Sequence, residues 1–413
     1  MSRGRLLLGR ILSNHRQTMS TPPSASKSGA LHLRSIQYLR AIAAVMVAYF
    51  HAIDQIPDYR PWFDRYLLGH LNLASGVDIF FVISGFIMLI SNRNSTPVSF
   101  AIRRAIRIIP LYWLLTIALA LLALWQPLQF RTTVVSGTAI LKSLLFIPYL
   151  NPGHPGEVFP LLVPGWSLNL EMFFYLVFAV VLLATAGRRL WIVGAVFGVL
   201  VLLGQIGRPL GVAPELLFYS DVRLLEFWLG MLIAHLVLHD RLRVSRAAAV
   251  ALILAGFAVL LSGFPVNGLE PGSFARTVLA NVLPSAAVIV GAIAMERNGW
   301  VGEHAWLHWM GDASYSIYLT HIFSLGAARF IWARLGLEAG GLLSAMAFAV
   351  FGMLCVLAGA WLVYNAVEKP TLNVLQRLLK ARHRTPPLPP AGKSTSAPER
   401  LHSPQSAENR TVS

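Results

Sequence analysis

Arg40 and His51 stand eleven positions apart in "YLRAIAAVMVAYFHA", a stretch otherwise apolar or aromatic. An arginine grips phosphate through its charge and its planar fork of donors. A histidine takes up and releases a proton near neutral pH. The pair therefore suits anion binding combined with acid–base chemistry. On a helix, eleven residues make three turns plus about 20° and rise roughly 16 Å, so the two side chains share a face at different depths. The plainer alternative has Arg40 reaching back to the membrane surface along its alkyl stem and His51 resting at the opposite interface. Ionisable residues inside a membrane are functional candidates by default.

Other residues extend this set. Asp78 opens "GVDIFFVISGFIM" near the depth estimated for His51, where a carboxylate orients an imidazole and raises its basicity; the alternative is a helix-start residue complementing the dipole. Ser84 and Gly85, deeper in that segment, suit close helix packing. "RRAIRIIP" sets Arg103, Arg104 and Arg107 at helical spacing on one face, either a phosphate cradle or a topology signal that binds anionic lipid. In "PGWSLNLEMFFY", Glu171 lies one turn below Ser167, and a carboxylate in hydrocarbon needs a partner or a task. Trp166 offers a ring on which a sugar can stack. Arg223 and Glu226 are spaced as an i, i+3 ion pair. Ser314, Tyr318 and His321 fall on or near one face of "GDASYSIYLTHIF", as helix-packing hydrogen bonds or as substrate contacts. The single cysteine, Cys355, leaves no disulfide framework and no Cys-ligated metal site.

The elements that position these groups are read from composition. Of 413 residues, 56% are hydrophobic and 13% charged, against roughly 25% charged in soluble domains, and the mean hydropathy is +0.61. The solvent is a bilayer. A crossing takes about 20 apolar residues, and about ten such segments occur, near residues 36–54, 76–92, 109–126, 165–187, 189–206, 214–238, 246–264, 277–295, 311–333 and 341–366. The expected fold is an all-α polytopic membrane domain. The net charge of +16 is concentrated in the two tails and in alternate short loops, which fits the positive-inside rule with both termini cytoplasmic and speaks against a nucleic-acid partner. The stretch 126–165 reads as the largest outer loop, with "AILKSLLFIPYL" a short re-entrant or interfacial helix. Residues 1–34 read as a basic cytoplasmic tail, with Met19 an alternative start, and 35–370 as the membrane domain. Residues 371–413, rich in Pro, Ser and charge, read as a disordered cytoplasmic tail.

In chain order, Arg40 with ten residues before His51, "GVDIFFVISGFIM", the RxxR of Arg104 and Arg107, "WSLNLEMFFY" and "SYSIYLTH" resemble the membrane acyltransferase 3 family over residues 35 to about 370. The opening looks most like the branch that O-acetylates bacterial exopolysaccharides. The resemblance implies a multi-pass bacterial inner-membrane enzyme, surrounded by membrane lipids, that moves an acetyl group from acetyl-CoA to a sugar hydroxyl without a permanently bound cofactor or a metal. The family's essential arginine and histidine fall on Arg40 and His51, and its RxxR on Arg104 and Arg107. On that footing Arg40, Arg103, Arg104 and Arg107 hold the donor phosphates, His51 is the general base oriented by Asp78, and Glu171 is a second acid or base. Trp166, Ser314, Tyr318 and His321 contact the acceptor, a carbohydrate or lipid-linked glycan. The rival reading is a transporter or flippase, whose path also carries charges at mid-depth.

Overall fold

Apolar segments bounded by Gly, Pro and charge become helices throughout, because backbone polar groups in a membrane must be satisfied within the segment. The structure is a computed structural model that describes residues 33–127, 130, 132–262, 269–270 and 273–382. Its longer helices are α1 (Arg34–Ile53), α2 (Gly76–Ser91), α3 (Pro97–Trp125), α4 (Gly137–Leu144), α5 (Trp166–Val181), α6 (Ala186–Gly207) and α7 (Leu224–Leu238). They continue with α8 (Arg246–Ser262), α9 (Leu283–Arg297), α10 (Ala305–Asp312), α11 (Ser314–Arg334), α12 (Leu342–Val363) and α13 (Lys369–Arg382). No strand occurs among the described residues. Each apolar segment read from the sequence overlaps one of these helices, but the span near 214–238 is broken, with a short helix Pro214–Leu217 separate from α7, which begins at Leu224. Among the described residues seven stretches, containing α1, α2, α3, α5, α6, α9 and α12, are long and apolar enough to cross a membrane.

Two further boundaries differ from the sequence reading. Helix α3 begins at Pro97, where the Thr96 hydroxyl accepts the Ser99 amide (3.3 Å) and Pro97 occupies the first turn. The arginine cluster is therefore the opening of a 29-residue helix rather than a loop, and at roughly 43 Å that helix outreaches a hydrocarbon core of about 30 Å. The chain beyond Pro370 is also helical: α13 runs to Arg382, so the assignment of 371–413 to a disordered tail fails over its first twelve residues. The remainder of that tail, and residues 1–32, lie outside the described residues. The short helix expected in the 126–165 loop is α4, capped by Ser136.

Helix α1 runs through the middle of the bundle and packs on α2, α9, α10, α11 and α12. It has no side-chain cap of its own. The Glu296 carboxylate of α9 serves instead, accepting the amides of Arg34 and Ser35 (both 2.9 Å) and the Ser35 hydroxyl (2.6 Å). A carboxylate at a helix N-terminus satisfies orphan donors and complements the dipole. At the end of α5, the buried Arg189 donates to the carbonyls of Leu182, Ala184 and Arg93, so this arginine of "AGRR" closes a helix C-terminus.

The tightest crossing joins α2 and α7. A Cβ on Gly85 would lie 1.9 Å from the Phe227 carbonyl oxygen, and one on Gly230 would lie 2.0 Å from that of Val82. The two backbones touch through their glycines, the small-residue packing that lets membrane helices approach. Gly85→Ala is expected to force the helices apart and lower stability by about 1–3 kcal/mol. Gly198→Ala, where nothing lies within 4 Å of the added carbon, is the matched control. Equal melting temperatures for the two variants in detergent would refute the crossing.

Candidate active site

Arg40, two turns into α1, is aimed by a relay of side chains. Its Nη1 donates to the Gln37 carboxamide oxygen (2.9 Å), and the Gln37 nitrogen donates to Asp312 Oδ1 (2.5 Å) at the end of α10. This fixes the amide orientation of Gln37 and leaves the rest of the guanidinium facing a cavity.

Helix α5 presents a stripe to the same cavity. Ser167, Glu171 and Tyr175 are four residues apart and so lie one above the other, and all three line it. Glu171 is no lone carboxylate: its Oε1 accepts the hydroxyls of Ser84 and Tyr175. Ser84 thus serves this bond, while Gly85 beside it serves the helix crossing.

From α3 come Arg104 and Arg107. Arg104 lies over the rings of Phe100 and Tyr175 (5.9 and 5.8 Å to the centroids), and its buried Nε has no hydrogen-bond partner. Arg107 is clamped: its Nη1 meets the buried Glu368 carboxylate at 2.6 Å, its guanidinium lies over Tyr315, and Glu368 also accepts the Ser316 hydroxyl. Arg103 departs from the expected cradle. Its Nη2 donates to Asn92 Oδ1 (3.1 Å) and Ser95 Oγ (2.6 Å), tying down the turn between α2 and α3. On the helix Arg107 lies between the two, about 40° from 103 and about 60° from 104, so the period does not choose between them; the contacts of Arg103 with Asn92 and Ser95 do.

The cavity has a volume of about 510 Å³, within the range usual for small-molecule sites. Its wall carries four basic side chains, Arg40, Arg104, Arg107 and Lys369, against two carboxylates, Glu171 and Asp312. The surplus of cations suits a phosphorylated ligand. Tyr318 and Phe80 bound it toward the opposite end of the bundle. The Tyr318 hydroxyl donates to the Pro164 carbonyl (2.9 Å) and meets Ser167 Oγ at 2.7 Å.

Immediately behind Tyr318 lies His321, their rings 6.1 Å apart, and on His321 stacks His51, with centroids 4.9 Å apart and planes inclined by 23°. Two histidines 270 positions apart in the chain thus form one pair, which the sequence reading had divided between base and acceptor contact. His321 is fully buried, whereas His51 is half-buried. His321 Nδ1 lies 2.7 Å from the Tyr318 carbonyl oxygen. A carbonyl only accepts, so Nδ1 carries the proton and Nε2 the lone pair, and Nε2 has no partner.

Asp78 does not orient His51. Its carboxylate accepts from Arg223 Nε (3.0 Å) and Asn281 Nδ2 (2.7 Å), and no hydrogen bond to His51 occurs among the described residues. Arg223 also reaches Asp221 (3.5 Å) and lies over the Trp166 ring (5.5 Å). The expected Arg223–Glu226 pair is replaced by this network, with the fully buried Glu226 beside Asp78. Depth along a helix placed Asp78 level with His51; which neighbour it faces depends on the rotation of α2 against α7 and α9. Trp166 belongs to the same network and does not line the cavity, and the buried Ser314 hydroxyl has no partner. Among the described residues no group of three or more His, Cys, Asp or Glu is placed to hold a metal. Sequence reasoning missed Gln37, Asp312, Tyr175, Tyr315 and Glu368. Tyr175 alone carried a signal, as the next step of the Ser167–Glu171 stripe.

The family described as "Acyltransferase domain" matches residues 33–365, in agreement with the motif resemblance. The chain is 38% identical over 314 residues to the exopolysaccharide production protein ExoZ of Rhizobium meliloti (strain 1021), covering 73% of this chain and 90% of that protein. It is 28% identical over 378 residues to the acyltransferase MdmB of Streptomyces mycarofaciens, covering 84% and 93%. No solved structure matches it. With seven helices among the described residues long and apolar enough to cross a membrane, and a match over most of its length, the chain belongs to the acyltransferase 3 family and is a multi-pass membrane acyltransferase.

Proposed function

We propose that the protein transfers an acetyl group from acetyl-CoA to a sugar hydroxyl of an exopolysaccharide or other cell-surface glycan, in the bacterial inner membrane. The observation that carries this reading is a cation-lined cavity that ends on Tyr318, against the His51–His321 pair. The cations suit the phosphates of a coenzyme thioester, and the similarity to an exopolysaccharide production protein supports a glycan acceptor. The donor enters from the arginine end, facing the cytoplasm, and the acceptor reaches His51 from the other side.

In the reaction the acceptor oxygen attacks the thioester carbonyl while His51 takes its proton. The C–O bond forms, the C–S bond breaks, and the proton returns to the departing thiolate as free coenzyme A. A neutral imidazole is suited to both transfers. Arg40, Arg104 and Arg107 act far from the reacting carbon, through binding.

Two measurements test this. Purified enzyme supplied with acetyl-labelled acetyl-CoA and a deacetylated exopolysaccharide oligosaccharide is expected to form an O-acetylated product by mass spectrometry; no transfer above a His51→Ala control refutes the reading. Arg104→Ala, which removes the least encumbered guanidinium, is expected to raise KM for acetyl-CoA about tenfold with kcat little changed, the pattern of lost ground-state binding. An unchanged KM would return Arg104 to a lipid contact.

A further inference from the structure

Helix α13 lies beyond the family match, which ends at residue 365, yet it builds part of the cavity. Lys369, Leu372, Asn373 and Gln376 line the same space as Arg40, Arg104 and Arg107. Their spacing of 0, 3, 4 and 7 puts them on one helix face. The π-helical turn Tyr364–Glu368 joins α13 to α12, and its last residue, Glu368, is the buried partner of Arg107 and Ser316. That clamp sets the direction in which α13 leaves the bundle, packed on α3. The 22 residues of α12 rise roughly 33 Å, enough for a core of about 30 Å, so α13 projects past the membrane at the arginine end. Lys369, Asn373 and Gln376 are exposed, and their side chains make no hydrogen bond or ion pair among the described residues. They are polar groups at the mouth of a cavity, without partners.

Resting on the acyl-coenzyme A reading above, we propose that α13 completes the donor site by holding the nucleotide half of the coenzyme. The coenzyme is elongated, with its thioester at one end and a phosphorylated adenosine at the other. The thioester has to travel inward past the arginines to Tyr318 and the histidine pair. The charged nucleotide stays at the mouth, since burying it in the membrane interior carries a heavy desolvation cost. Lys369 supplies an ammonium for a phosphate. Asn373 and Gln376 both donate and accept, the pattern that a carboxamide uses against the N6 and N7 edge of adenine. The arginines deeper in the cavity then meet the phosphates nearest the thioester arm.

The test compares two donors in full-length purified enzyme: acetyl-CoA, and S-acetylpantetheine, which keeps the thioester and lacks the nucleotide. Asn373→Ala/Gln376→Ala is expected to raise KM for acetyl-CoA about tenfold while leaving kcat, and the KM for S-acetylpantetheine, unchanged. Asn373→Asp, nearly isosteric, sets a carboxylate beside the phosphates and is expected to raise the KM for acetyl-CoA further. Both positions are exposed, so a melting temperature equal to wild type accompanies each variant. Equal shifts with both donors, or no shift with either, overturn the role of α13 while leaving the acyl-coenzyme reading intact. A wild-type enzyme that neither uses acetyl-CoA nor binds desulfo-coenzyme A by calorimetry overturns both.

Discussion

His51→Gln enzyme, folded and inserted, is expected to lose at least about 100-fold in turnover, the contribution of a positioned general base. Glutamine keeps a hydrogen-bonding group at that depth and carries no exchangeable charge, so packing survives and proton transfer does not. Of the stacked pair, His51 is half-buried while His321 is fully enclosed, so the proposed mechanism assigns the contact with substrate to His51. The enclosed ring is held by the Tyr318 carbonyl and stacks on His51; in the proposed mechanism it orients that imidazole. His321→Gln is therefore expected to cost less, about tenfold, through looser positioning of His51. The measurement is kcat for acetyl transfer per folded molecule, with fold checked by melting and size-exclusion profile. If His51→Gln retained most of its turnover and His321→Gln did not, the base would be His321, with its unpartnered Nε2.

The largest effect on stability is expected at Asp78. Asp78→Ala removes the buried carboxylate that accepts from Arg223 and Asn281. Arg223 keeps only its longer contact to Asp221 (3.5 Å), and breaking a buried ion pair by removing one partner costs about 3–5 kcal/mol. The variant is expected to melt far below wild type, or to accumulate poorly, while the molecules that do fold keep a normal KM for donor and a kcat within about threefold of wild type. Asp78→Glu, which retains the charge, is expected to recover much of the loss. A variant that melted like wild type and was catalytically dead would instead restore Asp78 as the residue that orients His51.

These two residues mark how far the sequence could be read. The alignment of Arg40 with His51 on one face of α1, the Ser167–Glu171 stripe of α5 and the shared face of Arg104 and Arg107 follow from the helical period, which is local. The acyltransferase 3 motifs were legible for the same reason: each is a short run within one helix. Asp78 was not, since its partners are Arg223 and Asn281 rather than His51. Arg103 looked equivalent to Arg104 and lies even nearer Arg107 by the helical period, yet the turn between α2 and α3 draws it to Asn92 and Ser95.

Composition and apolar run length alone determined that the chain is an all-helical membrane protein, because in hydrocarbon the backbone has few ways to satisfy its hydrogen bonds. Motif spacing alone pointed to arginines and a histidine set apart along one helix. Only the tertiary structure decided that His51 stacks on His321, that Glu368 clamps Arg107, and that α13 walls the cavity mouth. The physical reason is that length and period are set within a helix. The partner of a buried charge is set by which faces meet, and that in turn depends on close contacts such as the Gly85–Gly230 crossing, which join residues far apart in the chain.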